Sequence, residues 1–482
     1  VKGNSPLSPV LLKLLSLRLL QSLGVGVRET EAERDQEEIA LERMDAVRAA
    51  VDVQDTAALD ALLDPLHAAD IADLLEQISP SERADLLALW HGGIDGDVLS
   101  EIDDSIREEV IEALPEAVVA EAVRELETDD VVDILEDLDE PAQEKILDAL
   151  EDADRAAVEQ SLAYPEYSAG RLMQREAVIA PEYWTVGEAI DFLRGAEWLP
   201  DQFYHVILVD PRMRPTGYVT LGRVLSSGRS ARLRDIAEDS FRTVKATDSE
   251  TDVAYIFNQY HLISCPVLDE NGRLAGVITI DDAMNVLDEE HEEDMLRLAG
   301  VGDDSSIQDG VLETVKSRIP WLFVNLLTAN LSALVISRFD TTIEAIVALA
   351  ALMPIIASMG GNAGTQSLTV AVRALATRNL TGANALRVVR REAAVGAING
   401  AAFAILMGGV GALVLGMPLL GVVLALAMVI NLIVAALAGI LVPLGLDRLG
   451  LDPALASGTF VTTMTDVVGF FAFLGLATVM LL

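Results

Sequence analysis

The sequence predicts a multi-domain membrane protein: an α-helical, superhelical N-domain, a doubled α/β module, a connecting helix and a transmembrane domain of five helices. Three observations predict it. The chain has 482 residues, more than one compact domain usually holds. A formal net charge of −42 coexists with 51% hydrophobic residues, which points to an acidic soluble part joined to an apolar part. The two parts separate near Arg318: upstream, Asp and Glu recur every few residues, and downstream long stretches carry no charge.

The acidic part argues against nucleic acid as a partner, because a phosphate backbone is repelled by like charge. It favours small cations. The lone cysteine, Cys265, leaves no intrachain disulfide and no cysteine-based metal site. Residues 10–23 are apolar but interrupted by Lys13 and Arg18, with no clear cleavage site after them. They read as an amphipathic or disordered part of an N-terminal extension, 1–30.

Residues 31–168 read as the acidic helical N-domain. Short apolar-periodic runs are broken by Pro80, Gly92, Gly93, Pro115, Pro141 and Pro165. The pattern from Asp70 (DIADLLEQI) repeats from Asp130 (DVVDILEDL). Helices this short bury their apolar faces only by stacking on neighbours, hence a superhelix. In 169–288, strand-like runs fall at 203–209, 217–220, 265–268 and 276–280, with helical patterns at 186–193 and 252–260 between them. Asp210 and Gly217 recur as Asp269 and Gly276, and DENG at 269–272 supplies a turn between paired strands. The connecting helix, 289–317, opens on an acidic run at 288–294 and passes through a glycine hinge at 300–304.

The transmembrane domain, 318–482, carries spans at 319–337, 345–371, 392–416, 419–445 and 455–482. Each crosses about 30 Å of hydrocarbon at about 1.5 Å per residue. Lys316, Arg318, Arg373, Arg378, Arg387, Arg390, Arg391 and Arg448 fall on one side and Arg338 on the other. This places the soluble part and basic loops in the cytoplasm and the C-terminus outside, in the cell inner (cytoplasmic) membrane, with membrane lipid as a partner.

Two motifs carry chemistry. The first is PIIASMGGNAGTQS at 354–367, inside the second span. Asn362 and Gln366 share a helix face, and Ser358, Gly361 and Thr365 the adjacent one; small residues let helices approach while amide oxygens line a wet path. A phosphate-binding loop is excluded, since its lysine is missing. The second is TFVTTMTD at 459–466. Asp466 is the only acid in its span, and an acid at mid-bilayer costs roughly 2.5–3.5 kcal/mol, so it is expected to face a cavity or a partner.

Paired units with an apolar strand ending in Asp, a turn, and Gly217-Tyr-Val-Thr220 or Gly276-Val-Ile-Thr279 leading into a helix resemble tandem CBS domains. In such modules an Asp three residues after the Thr often holds ribose. Here that is Asp282 in the second copy and Arg223 in the first, so Thr279 and Asp282 are the candidate residues for an adenosine nucleotide. With YPEYSAGRLM at 164–173 and the two membrane motifs, nearly the whole chain resembles the MgtE family of magnesium channels and transporters. The resemblance implies a homodimer with a pore on its axis, lined by Asp466, Thr462, Asn362, Gly361 and Thr365. It also implies a Mg²⁺ sensor whose acids match Asp282, Glu290, Glu293 and Asp294, with Asn285 standing where the family can have an acid. The expected function is a Mg²⁺-selective channel closed by cytoplasmic Mg²⁺. The alternatives are a Co²⁺/Mn²⁺ or ion-coupled divalent transporter, or a nucleotide-sensing membrane regulator. An enzyme is not expected, for want of a nucleophile–base pair or redox motif.

Overall fold

The computed structural model describes residues 31–482 except 91, 137, 197–198, 201–202, 239–240, 303–304, 307–309, 414–415 and 456–457. The expected extension at 1–30 lies outside the described residues. The chain divides into two compact units, one up to Leu126 together with Asp133–Arg155, the other Glu127–Val132 together with Ala156–Leu482.

The first unit is built from α1 (Glu31–Asp52), α2 (Thr56–Leu63), α3 (Ala68–Gln77), α4 (Pro80–Leu89), α5 (Gly96–Glu101), α6 (Asp104–Ala113) and α7 (Glu116–Glu125), then the end of α8 (Thr128–Glu136), α9 (Glu140–Ala149) and the start of α10 (Asp152–Leu162). Acids start these helices. The side chains of Asp55, Asp95, Asp103 and Asp139 accept from backbone N–H groups of the turn that follows each, and Ser79 and Glu82 form a reciprocal capping box. Leu59, Leu63, Leu75, Leu86, Leu99 and Val110 fill the apolar seam between them.

The internal repeat has a structural counterpart at the far end of each repeated helix. Arg83, 1% exposed, donates to the carbonyls of Leu75 and Ile78 at 3.0 and 3.3 Å and pairs with Glu109 at 2.9 Å. In the second copy Gln143 donates to the carbonyls of Leu135 and Leu138 at 2.8 and 2.9 Å. Each side chain thus satisfies carbonyls that the end of the preceding helix leaves orphaned.

The second unit carries two three-stranded sheets of the same topology. In the first, β1 (Ile179–Pro181) runs parallel to β2 (His205–Val209), which pairs antiparallel with β3 (Pro215–Thr220). α11 (Val186–Gly195) connects β1 to β2, and α12 (Leu221–Ser226) follows β3. In the second, β4 (Val244–Lys245), β5 (Ser264–Leu268) and β6 (Leu274–Thr279) repeat the order, with α13 (Glu250–Tyr260) between β4 and β5. The repeat extends to single atoms. Asp210 accepts from the N–H groups of Arg212 and Arg214, and Asp269 from those of Asn271 and Arg273. The equivalent strand-opening residues His205 and Ser264 hydrogen-bond one another at 2.6 Å, joining the two copies.

α14 (Ile280–Ala299) leaves β6 and runs unbroken past 288, where the sequence places the start of a separate connecting segment. Among the described residues, five helices are long and apolar enough to cross a membrane: α15 (Val311–Ser337), α17 (Ala348–Ala376), α18 (Ala385–Leu413), α19 (Pro418–Arg448) and α20 (Gly458–Leu481), with the short α16 (Asp340–Ala345) after the first. α19 is the central helix, packed against α17, α18 and α20. Leu349, Ile356, Val423, Leu424, Leu432, Phe473 and Leu474 form the shared core.

Candidate functional site

Helices α17 and α20 meet closely because glycines line the seam. A Cβ at Gly361 would lie 3.2 Å from Cγ2 of Thr462, and one at Gly364 would lie 2.6 Å from Val461. The seam therefore brings Gly361 and Thr462 into contact. Thr365, one turn from Gly361, lies near Gly458 at the start of α20. Asn362 is exposed beside this seam. Asp466 stands one turn beyond Thr462 on the same face of α20, half-buried, with no hydrogen-bond or ionic partner among the described residues.

The hydroxyls around it are already oriented. Thr462 and Thr463 donate to the carbonyl of Thr459, Thr465 to that of Thr462, and Thr365 to that of Gly361. Each proton is spent on the helix's own backbone, so the oxygen lone pairs are what each hydroxyl offers outward. Oxygen donors beside a free carboxylate are the ligand chemistry of hard divalent cations.

Behind the seam sits Asn431 of α19, fully buried. Its Nδ2 donates to the carbonyl of Ile356 at 2.8 Å. Cβ atoms at Gly360 or Gly469 would collide with it, at 2.3 and 2.9 Å. Asn431 thus ties α19 to α17 and sets how closely α20 approaches. Nothing in the sequence singles it out beyond one amide in an apolar run.

The four expected sensor acids fall into two groups. Asp282 lies at the start of α14, where the hydroxyl of Thr279 donates to it at 2.6 Å. It belongs with Glu127, Asp129, Glu176 and Asp281. Burial pushes Glu127 up to about 7, with Glu176 and Asp282 adding repulsion. Burial, then the neighbouring Asp282, raises Asp129 well above the usual carboxylate range. Burial likewise raises Asp282 to about 6, with the Thr279 hydrogen bond opposing it. Gln174 and Thr128 steady the group, donating to Glu127 at 2.7 Å and to Glu176 at 2.6 Å.

Glu290, Glu293 and Asp294 lie two to four turns further along α14. Glu290 accepts from the hydroxyl of Thr251 at 2.6 Å. Glu293 pairs with Arg297 at 2.8 Å, and Arg297 pairs with Asp452, in the loop between α19 and α20, also at 2.8 Å. Burial raises Asp294 to about 6, with Asp452 and Glu290 adding to it and Arg297 opposing. Among the described residues, no three acids or histidines converge tightly enough to hold a metal ion in this state.

Besides the Arg297–Asp452 pair, two further contacts join soluble elements of this unit to its membrane part. Leu298, at the end of α14, packs with Leu368 of α17, Ala438 of α19 and Val461 of α20. Arg378, in the loop between α17 and α18, pairs with Asp252 of α13 and lies 4.2 Å from the centre of the Tyr255 ring. Asp452 and Asp252 were not singled out by the sequence, because an acid in so acidic a chain does not stand out.

Comparison with known proteins adds three matches to family descriptions. The divalent cation transporter family MgtE matches residues 353–476, the MgtE intracellular N domain residues 66–167, and the CBS domain residues 233–289. The magnesium transporter MgtE of Thermus thermophilus is 34% identical over 68% of this chain and 73% of its own. That of Enterococcus faecalis is 32% identical over 66% and 70%, and that of Bacillus subtilis 28% over 74% and 79%. Among solved structures, the cytosolic domain of the Mg²⁺ channel MgtE in complex with ATP is 29% identical, covers 50% of this chain and 99% of its own, and has a TM-score of 0.47. The chain therefore belongs to the MgtE family of magnesium transporters, which are not enzymes.

Proposed function

We propose that the protein is a Mg²⁺ channel of the inner membrane, working as a homodimer in which the Asp466 carboxylates of two copies face one hydrated ion. The observation that carries this reading is the unpartnered Asp466, one turn from Thr462 on a hydroxyl-bearing face of α20. Mg²⁺ gives up its water reluctantly and is held through one or two carboxylates with waters retained. Two carboxylates flanked by hydroxyl and carbonyl oxygens match that demand without gripping the ion, as conduction requires. With an inside-negative potential, a divalent ion gains about 4.6 kcal/mol per 100 mV on entry, from about 2.3 per charge, and needs no other energy source. The basic residues flanking the loop between α17 and α18 favour a cytoplasmic position for it, with the C-terminus outside. The largely exposed apolar side chains of α15, among them Leu322, Phe323, Leu326 and Leu331, suit lipid or a second copy.

Cytoplasmic Mg²⁺ closes this channel by neutralising the two acidic groups along α14. The support is positional: α14 carries Asp282 near one end and Leu298 near the other, and Leu298 packs on the two helices of the seam. Ion binding then biases one element with two arrangements, which is what coupling between sites needs. Thr279 and Asp282 would serve an adenosine nucleotide only after their mutual hydrogen bond opens to ribose hydroxyls.

Mg²⁺ uptake in a magnesium-requiring strain tests both parts. Asp466→Asn should reduce uptake to background with normal membrane levels of the protein. Neutralising Glu290 and Asp294 together should leave uptake intact but persistent at high internal Mg²⁺. Undiminished uptake by Asp466→Asn would sink the pore assignment, and intact feedback in the double variant would sink the sensor.

A further inference from the structure

A second cavity, open on one side and walled in part by Ala363, Val370 and Val395, lies on the other side of α17 from the Gly361–Thr462 seam. It is a cavity of about 180 Å³ between α17 and α18, floored by Leu432 and Ala436 of α19 and lined by Gln366, Ser367, Glu392 and Asn399. Glu392 and Asn399 are two turns apart on one face of α18. Between them Gly396 presses on α19, where a Cβ would lie 2.7 Å from the carbonyl of Leu432, so the floor of the cavity is closed.

Glu392 is the sole formal charge in this lining. It stands about 10 Å inside the helix start at Ala385, at about 1.5 Å per residue. Arg387, Arg390 and Arg391 surround it in sequence, yet among the described residues none forms an ion pair with it. Its partner is the Ser367 hydroxyl, at a long 3.4 Å. The amides of Gln366 and Asn399 have no side-chain partner among the described residues. Gln366 and Asn399 are exposed and Glu392 is half-buried, so all three are open to whatever fills the cavity, and Glu392 marks its proposed cytoplasmic end beside Arg390 and Arg391.

The donor set identifies the ligand class. A carboxylate, two carboxamide oxygens and a hydroxyl are hard oxygen donors. The Glu392 carboxylate repels anions, and with it the amide oxygens favour a cation over an anionic ligand. At about 30 Å³ per water, the cavity admits a small cation with much of its water shell, and too few protein oxygens are present to strip that shell.

We propose that this cavity is a second site of the membrane domain for a hydrated divalent cation, with Glu392 as its charged ligand and Ser367, Gln366 and Asn399 bonding directly or through water. It is separate from Asp466: Gln366, which shares a helix side with Asn362 in the sequence, is turned by the structure toward α18 rather than toward α20.

The test uses Mn²⁺, an octahedral, oxygen-preferring stand-in for Mg²⁺, located by anomalous diffraction from crystals of the full chain in lipid. Wild type should show a Mn²⁺ peak beside Glu392 at saturating metal. Glu392→Gln should weaken binding there at least tenfold, while Glu392→Asp keeps the peak. Asn399→Leu, which retains the carboxylate but fills the space with an apolar side chain, should weaken it too, and serves if Glu392→Gln does not fold. Asp466→Asn should leave this peak in place, which separates the two sites. An empty cavity in wild type overturns the proposal, as does a peak undiminished in Glu392→Gln.

Discussion

The acids of the helical unit and those of the membrane helices are the same side chains put to opposite uses. In the helical unit Asp55, Asp95, Asp103 and Asp139 each hold a helix start, accept from backbone N–H groups and remain in water. Their number says more about how many short helices must begin than about ligands. In the membrane helices Glu392 and Asp466 cap nothing, and neither has a basic partner among the described residues. The same contrast holds for cations: buried Arg83 is fully engaged with two carbonyls and Glu109. A charge that local structure has already used is poor grounds for a site. One left over in an apolar setting is good grounds.

Substitutions can break this contrast, beginning with the largest expected effect on stability. Arg83→Met should destabilise the helical unit by about 3 kcal/mol, because it strands carbonyls and leaves Glu109 without its partner. Chemical denaturation of the full chain carrying Trp90 as its sole tryptophan, the other three replaced by Phe, followed by fluorescence, would measure it, and a loss below about 1 kcal/mol would mean that water replaces the guanidinium. Asn431→Ala should cost about 1–2 kcal/mol in the membrane bundle, as expected for one interhelical hydrogen bond, read by thermal unfolding in detergent. An unchanged transition would remove its bracing role. Asp139→Ala should cost about 1 kcal/mol through loss of the cap and leave Mg²⁺ uptake untouched; a clear uptake defect would blur the division between capping and ligand acids.

The group formed by Glu127, Asp129 and Asp282 lies between these extremes. Its pKa values are raised, so the protonated forms favour the folded arrangement. Its contribution to stability is fully present below the ordinary carboxylate range and is lost as pH rises through about 6 and about 7, where Asp282 and Glu127 ionise. Hydrogen exchange at residues 127–132 and 279–283, corrected for intrinsic rates, should therefore be faster at pH 8 than at pH 5 without divalent ions. Mg²⁺ at pH 8 should slow it again. Equal protection at both pH values would mean that water screens the group.

Much of the fold was legible because it rests on periodicity. The two longer strands of each sheet, the recurring Asp and Gly landmarks and the five apolar runs all appear in the sequence. β1 and β4, of three and two residues, are too short to alternate visibly. The first membrane helix starts at Val311, ahead of the apolar run, because its Glu313, Lys316 and Arg318 turn is a good helix in water and hydropathy is blind to it. Asp466 stood out against an uncharged span. Glu392 did not, because Arg390 and Arg391 beside it read as a loop flank, and only the helix packing turns its face toward Gln366. Asn431 matters only through Gly360 and Gly469, distant in sequence.

One consequence follows from α14 being a single rod. Its 20 residues run without interruption from the cap at Thr279 to Ala299, a length of about 30 Å. A pivot of about 5° at the Asp282 end would sweep the far tip through about 2.5 Å over that length. On the proposed gating, the lever arm rather than any special softness at its ends would carry a small rearrangement among carboxylates to Leu298.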